Sequence, residues 1–145
     1  MALDRTQGEA FDDREVVRSY ACRAPYSPAM YEFLFDLVSL SAALDLGCGP
    51  GKIARVLADR FARVDAVDPS LPMLEVAREL DRDRPLNINW IHARGETAPF
   101  EPPYDLITAG ASIHWMDHAV VFPRLAAAIA DGGFMAVMDG DGAHE

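Results

Sequence analysis

The chain has 145 residues, half of them hydrophobic and a quarter charged, a composition that suits one globular domain and argues against disordered, fibrous and two-domain readings. Its 23 acidic residues outnumber 13 Lys and Arg, for a net charge of −10, which argues against a main surface that tracks nucleic-acid phosphates or anionic lipid. Residues 1–6 open on charges rather than on the apolar stretch of a secretory signal. No run approaches the roughly 18 apolar residues of a membrane span, so the expected location is cytoplasmic.

Residues 1–19 read as a loose acidic arm and the start of a helix that precedes the sheet; residues 20–145 read as the domain. Ser27 before Pro28 makes an N-cap with proline in the first turn, and Met30, Phe33, Leu34, Leu37 and Val38 follow at helical spacing. Residues 42–46 are a short apolar run closed by Gly47, which suits a buried strand. Ile53, Val56, Leu57 and Phe61 then mark a helix, residues 63–67 a strand, and Met73, Val76, Ala77 and Leu80 a helix opened by Ser70 and Pro72. Residues 87–91 and 104–109 read as the third and fourth strands. Val121, Leu125, Ala128 and Ile129 read as a helix ended by Gly132-Gly133, and residues 134–138 as the fifth strand. Strands alternating with helices signal βαβ units, and the expected class is α/β with a doubly wound, mainly parallel sheet. Cys22 and Cys48 lack CxxC spacing, and both are expected reduced.

The chemistry concentrates where the first strand runs into Leu44-Asp45-Leu46-Gly47-Cys48-Gly49-Pro50-Gly51-Lys52 and a helix follows at once. Alternating glycines let the backbone approach a ligand closely, and the helix start behind them is expected to offer unpaired N–H groups to an anionic or polar group. The spacing is not that of a phosphate-cradling loop, which needs GxxxxGK before Ser or Thr; Leu46 and Ile53 stand at the deciding positions. Nor is it the dinucleotide GxGxxG, whose third glycine would fall on Lys52. Asp68, at the end of the second strand, is where a carboxylate can accept both hydroxyls of a ribose. Its plain alternative is a helix-capping role before Pro69.

On these residues the chain resembles the class I S-adenosylmethionine-dependent methyltransferases, and within them the small-molecule, type 11-like group with a His-Trp motif after strand four, as in the trans-aconitate and ubiquinone-pathway enzymes. Residues 44–51 resemble the first motif of the family, and Val67-Asp68-Pro69-Ser70 with Met73-Leu74 the second. Gly95-Glu96 through Pro99-Phe100 resemble the third, and Tyr104-Asp105-Leu106-Ile107 through His114-Trp115-Met116-Asp117 the fourth. The resemblance implies a Rossmann-like sheet, S-adenosyl-L-methionine as cofactor and a small-molecule methyl acceptor. Gly47 and Gly49 would then lie against the methionine part, Asp45 would help to hold its ammonium, and Asp68 would bind the ribose. Pro69 and Met73 would flank the adenine, with Gly95 and Glu96 at its edge. Tyr20 and Arg23 match the Tyr…Arg-Pro-x-Tyr stretch of the family before the sheet, and would reach the cofactor carboxylate. The alternative for Arg23 is a solvated side chain on a helix flank.

Where many members carry Asp just before the position of Gly95, Arg94 stands here and cannot accept a hydrogen bond. Members also continue past the fifth strand for about two more strands. The resemblance therefore implies a domain truncated after strand five, with a sheet edge left available for self-association. His114 and His118 stand four apart, but Trp115 replaces the Glu that a zinc-protease motif requires, so no metal site is expected. His114 is the one candidate general base for the acceptor. The expected function is methyl transfer to an oxygen, nitrogen or carbon of a small molecule. A non-catalytic cofactor-binding or partner-binding domain is the alternative, and a nicotinamide-dependent oxidoreductase is disfavoured by the GxGxG spacing.

Overall fold

A computed structural model describes residues 26–82, 87–110 and 112–138 of the chain. The arm over residues 1–19, together with Tyr20, Cys22 and Arg23, lies outside the described residues. In chain order the elements are α1 (Pro28–Leu37), β1 (Ala42–Leu46), α2 (Lys52–Ala58), β2 (Arg63–Asp68), α3 (Leu71–Asp81), β3 (Ile88–His92), β4 (Tyr104–Gly110), a 3-10 turn (Ile113–Trp115), α4 (His118–Ala128) and β5 (Ile129–Met138).

The five strands form one sheet in the order β3-β2-β1-β4-β5, and every neighbouring pair is parallel. The central strand β1 is buried along its whole length, as a strand covered on both faces must be. Ala43 on one face packs with Tyr31 and Phe35 of α1, Ile53, Ala54 and Leu57 of α2, and Leu74 of α3. Leu44 and Leu46 on the other face pack with Val121, Leu125 and Ala128 of α4. The expected doubly wound α/β class holds, and its switch point falls between β1 and β4, where consecutive crossovers leave in opposite directions. No helix among the described residues is long and apolar enough to cross a membrane.

Two local expectations are corrected. In α1 the fully buried residues are Tyr31 and Phe35; Met30, Leu34 and Val38 of the expected stripe pack against the same core, while Phe33 and Leu37 are exposed, so the buried face is rotated toward Tyr31 and Phe35. In the second half, α4 stops at Ala128, and Ile129 is already extended, with φ −81° and ψ 139°. Gly132-Gly133 do not end the helix; they lie inside β5, where the pairing register to β4 shifts between Tyr104 and Leu106. Gly132 at φ 78° takes a left-handed conformation that suits such an irregularity.

Candidate cofactor site at the carboxyl ends of β1 and β2

The turn after β1 is tied to the strand on either side of it. The N–H groups of Gly47 and Cys48 both donate to the Val67 carbonyl of β2, at 2.8 and 2.9 Å, and Gly51 N–H donates to the Cys48 carbonyl at 3.0 Å. Gly49 N–H donates to Asp68 Oδ2 at 2.8 Å. From the β4 side, Ser112 Oγ donates to the Leu46 carbonyl at 2.7 Å. Gly47, Gly49 and Gly51 all have positive φ, at 67°, 53° and 93°. At Gly47 a Cβ would also overlap Ser112 Cβ, and at Gly51 it would come within 2.5 Å of Trp90 Cη2. The N–H groups of the turn itself are therefore consumed inside the protein, and the expectation of unpaired donors rests on the first turn of α2 behind it. What the turn offers a ligand is close approach to backbone without side chains, not a cradle for an anion.

Two buried carboxyls flank the turn. Asp68 closes β2; its Oδ2 holds Gly49 and its Oδ1 accepts from Ser70 N–H at 2.8 Å. The capping residue of α3 is Ser70 itself, whose Oγ accepts from Met73 N–H. Asp45, on β1, is 1% exposed and stands in register between Ala66 of β2 and Thr108 of β4. Its Oδ1 accepts from Thr108 Oγ1 at 2.8 Å. Its Oδ2 has no hydrogen-bond partner. Burial pushes the Asp45 carboxyl up to about 7; the Thr108 hydroxyl opposes the rise, Asp68 adds to it, and the Ala54 N–H in the first turn of α2 weakly favours the charged form. Burial, with Asp68 and Asp45 nearby, likewise pushes the Cys48 thiol well up, which makes it an inert core group and agrees with its free, reduced state.

Pro69 is exposed beside Asp68, and Met73 is buried in the first turn of α3. Gly95 and Glu96 lie in the turn after β3, pinned to α4 and its capping residue. Arg124 Nη1 donates to the Gly95 carbonyl at 2.6 Å, and Glu96 Oε2 accepts from Asp117 N–H at 2.7 Å. Arg94 is exposed, and its carbonyl closes the same turn by accepting from Thr97 and Ala98 N–H. His114 is exposed on the 3-10 turn after β4, its ring 4.6 Å from that of Trp115. His118 Nε2 lies 2.9 Å from the Ile113 carbonyl.

The structure thus brings Asp45, Gly47, Gly49 and Asp68 together and sets Gly95 and Glu96 on a separate turn; Tyr20 and Arg23 fall outside the described residues. Sequence reasoning missed Thr108, Ser112 and Gly110. A Cβ on Gly110 would come within 2.5 Å of Ile53 Cδ1 and 3.5 Å of the Tyr26 hydroxyl. The only signal for these residues was a run of small and hydroxyl residues, 108–112, where an apolar strand ends.

Comparisons with known proteins agree with this geometry. Residues 43–133 match the family model described as a methyltransferase domain. The chain is 42% identical over 121 residues to a trans-aconitate 2-methyltransferase of Paracidovorax citrulli, covering 77% of this chain and 45% of that protein. It is 38% identical over 109 residues to the enzyme of the same name from Delftia acidovorans, covering 70% and 39%. The chain therefore spans about two-fifths of the length of these relatives. Among solved structures, a Methanococcus maripaludis protein assigned as an S-adenosyl-L-methionine-dependent methyltransferase superposes with a TM-score of 0.75 at 26% identity, over 90% of this chain and 65% of that one. A Haemonchus contortus phosphoethanolamine N-methyltransferase solved with S-adenosylhomocysteine superposes with a TM-score of 0.67 at 26% identity, over 75% and 26%. A glycine turn between buried carboxyls at the switch point, on a sheet shared with these structures and within a matching family model, places the chain in the methyltransferase domain family.

Proposed function

We propose that the chain binds S-adenosyl-L-methionine across the carboxyl ends of β1 and β2 and serves methyl transfer to a small-molecule acceptor. The observation that carries this reading is the pair of buried carboxyls, Asp45 and Asp68, on either side of a turn that has no side chain at three positions. The residues fit such a cofactor. The buried Oδ2 of Asp45, without a partner of its own, complements an ammonium. Asp68, held by Gly49 and Ser70 at the end of β2, is a carboxyl where ribose hydroxyls would be accepted. A turn whose donors are consumed internally is a poor cradle for a pyrophosphate, and that disfavours a nicotinamide dinucleotide.

When bound, the cofactor supplies a methyl group already activated on a sulfonium, so the protein contributes alignment rather than strong acid–base chemistry. In this reading Asp45 orients the amino-acid end, and Gly47 and Gly49 let it lie against backbone. Pro69 and Met73 flank the adenine, and the Gly95-Glu96 turn borders it. Tyr20 and Arg23 meet the carboxylate. His114 occupies the turn after β4, where a general base for the acceptor would stand, and the His-Trp pair supports a reading within the small-molecule group; no residue is assigned as catalytic. The names of the relatives make trans-aconitate the first acceptor to test.

A second reading, a non-catalytic cofactor-binding or self-associating domain, is favoured by the exposure of Phe134 and Val137 on β5, one of the two edge strands among the described residues. Titration calorimetry with S-adenosyl-L-methionine, S-adenosylhomocysteine and NAD tests both: the first two bind and NAD does not, whereas heat from NAD alone sinks both readings. Transfer of labelled methyl to trans-aconitate or to another acceptor in a metabolite extract supports the first reading; binding without transfer supports the second. Asp68→Ala is expected to lower cofactor affinity at least about tenfold, through the lost hydroxyl contacts and the released turn. Unchanged affinity would show that the ribose lies elsewhere.

A further inference from the structure

We infer that Asp45 takes up the cationic amino group of the ligand in exchange for its own proton, and that Thr108 is the positioning residue that sets how readily it does so. This rests on the cofactor-binding reading above and adds to it a proton linkage and a role for a β4 side chain.

The surroundings of Asp45 are known from each element packed against it. β4 supplies the Thr108 hydroxyl, which donates to Oδ1. β2 supplies a second carboxyl, Asp68, and the turn supplies the Cys48 thiol. α1 supplies the Tyr31 phenol, itself pushed up by burial, by Asp45 and by Tyr26. α2 supplies the Ala54 backbone N–H and, toward the Cys48 thiol, the Arg55 guanidinium. The charge named as acting on Asp45 is that of Asp68, and it raises the carboxyl further. An ionised Asp45 is thus a buried charge without a counter-ion, and such a group remains protonated unless a cation arrives. Since Oδ1 already accepts from Thr108, the proton belongs on Oδ2, the oxygen without a partner. A ligand ammonium brings the missing charge. On binding, the O–H bond of Oδ2 breaks, its proton goes to solvent, and the carboxylate left behind accepts from the ammonium; no covalent bond forms to the ligand.

Thr108 matters because its hydroxyl can stabilise the carboxylate before the ligand arrives. With Thr108→Val the carboxyl loses the Thr108 donor and holds its proton to higher pH. With Thr108→Ser the donor remains. A merely structural role for Thr108 would change stability in both variants and leave the pH profile of binding in place.

The test is calorimetry of S-adenosylhomocysteine with the full chain between pH 5.5 and 7.5, in paired buffers of different ionisation enthalpy, so that protons released are counted directly. Throughout this range the ligand amine is mostly protonated. Affinity is expected to be on the order of tenfold weaker at pH 5.5 than at 7.5, with most of one proton released per ligand at the acid end. Asp45→Asn loses the release and binds at pH 7.5 about as weakly as the wild type does at pH 5.5. Thr108→Val shifts the profile upward by about one pH unit, and Thr108→Ser restores it. 5′-Methylthioadenosine, which lacks the amino acid, binds without releasing a proton. Binding of S-adenosylhomocysteine at equal affinity across the range, or an Asp45→Asn variant with the wild-type profile, overturns the proton exchange and leaves the cofactor reading standing. Binding of neither S-adenosylhomocysteine nor 5′-methylthioadenosine at any pH sinks the cofactor reading itself.

Discussion

At Asp45 the cost of burial falls on the charged form alone, so the stability of the ligand-free protein carries a pH signature of this one residue. Its carboxyl moves from 3.8 to about 7 on folding. Between those values the native state binds more protons than the unfolded state, and stability therefore falls as pH rises from about 4 to 7, then levels off. The shift corresponds to a loss of up to about 4 kcal/mol across that window. Asp45→Asn keeps the shape, cannot ionise and is expected to be more stable than the wild type by roughly 1–3 kcal/mol at pH 8, with the gap closing near pH 5. Urea unfolding of both proteins at the two pH values measures this; a gap that does not open with pH contradicts the assignment. Asp45 and Asp68 were legible in the sequence because one interrupts and the other ends an apolar run beside a turn. Thr108 and Ser112 were not, because their relation to Asp45 and Leu46 exists only through the parallel register of β1 and β4, some 63 to 66 residues apart in the chain.

Elements were legible where a local signal sufficed. Ser27 and Ser70, each followed by proline in the first turn, cap α1 and α3 as their sequence position implied. The buried face of α1 was not legible, because which stripe turns inward depends on the sheet beneath it, and Tyr31 and Phe35 win that contact over Phe33 and Leu37. The boundary of α4 was misread for a related reason: Gly132-Gly133 resembles a helix stop, yet the pairing of Ile129 with Tyr104 pulls the chain into β5 before the glycines are reached. At the amino ends of β2 and β4, away from the site, tertiary structure adds a polar knot that no local pattern announced. Tyr104 donates to Asp65 Oδ2 at 2.6 Å, Arg63 Nη1 donates to the same oxygen at 2.6 Å, and Glu101 N–H donates to the Tyr104 hydroxyl at 2.8 Å. Burial and the Asp65 hydrogen bond push the Tyr104 phenol up to about 12. Tyr104→Phe leaves Asp65 short of a donor and Glu101 N–H without its acceptor, and is expected to cost about 1–3 kcal/mol. The check is a lower urea midpoint at unchanged slope, with S-adenosylhomocysteine affinity unaltered; a variant as stable as the wild type would show that water replaces the hydroxyl at no cost.

On the scale of the whole molecule, the alternation of strands and helices disclosed the doubly wound class, whereas the order β3-β2-β1-β4-β5 follows from the direction of each crossover, which no residue states alone. That order gives the site its position: beside β1 the first glycine turn, the end of β2 and the segment after β4 converge, where open α/β sheets take their ligands. A ligand seated there adds contacts to parts of the chain that these hydrogen bonds already tie together, so it should stabilise the domain as a unit. At a concentration one hundred times its dissociation constant, S-adenosylhomocysteine is expected to add about 2.7 kcal/mol. For a chain of this size that corresponds to a rise in melting temperature of roughly 5–10 °C. NAD at the same concentration should give no rise, Asp68→Ala should lose most of it, and at pH 5.5 the wild-type rise at fixed ligand concentration should shrink as Asp45 keeps its proton. Scanning calorimetry at pH 5.5 and 7.5 reads all three. A rise of equal size with NAD would mean that the crevice recognises the adenosine shared by both molecules, and that the two carboxyls beside the glycine turn do not select for the amino-acid end.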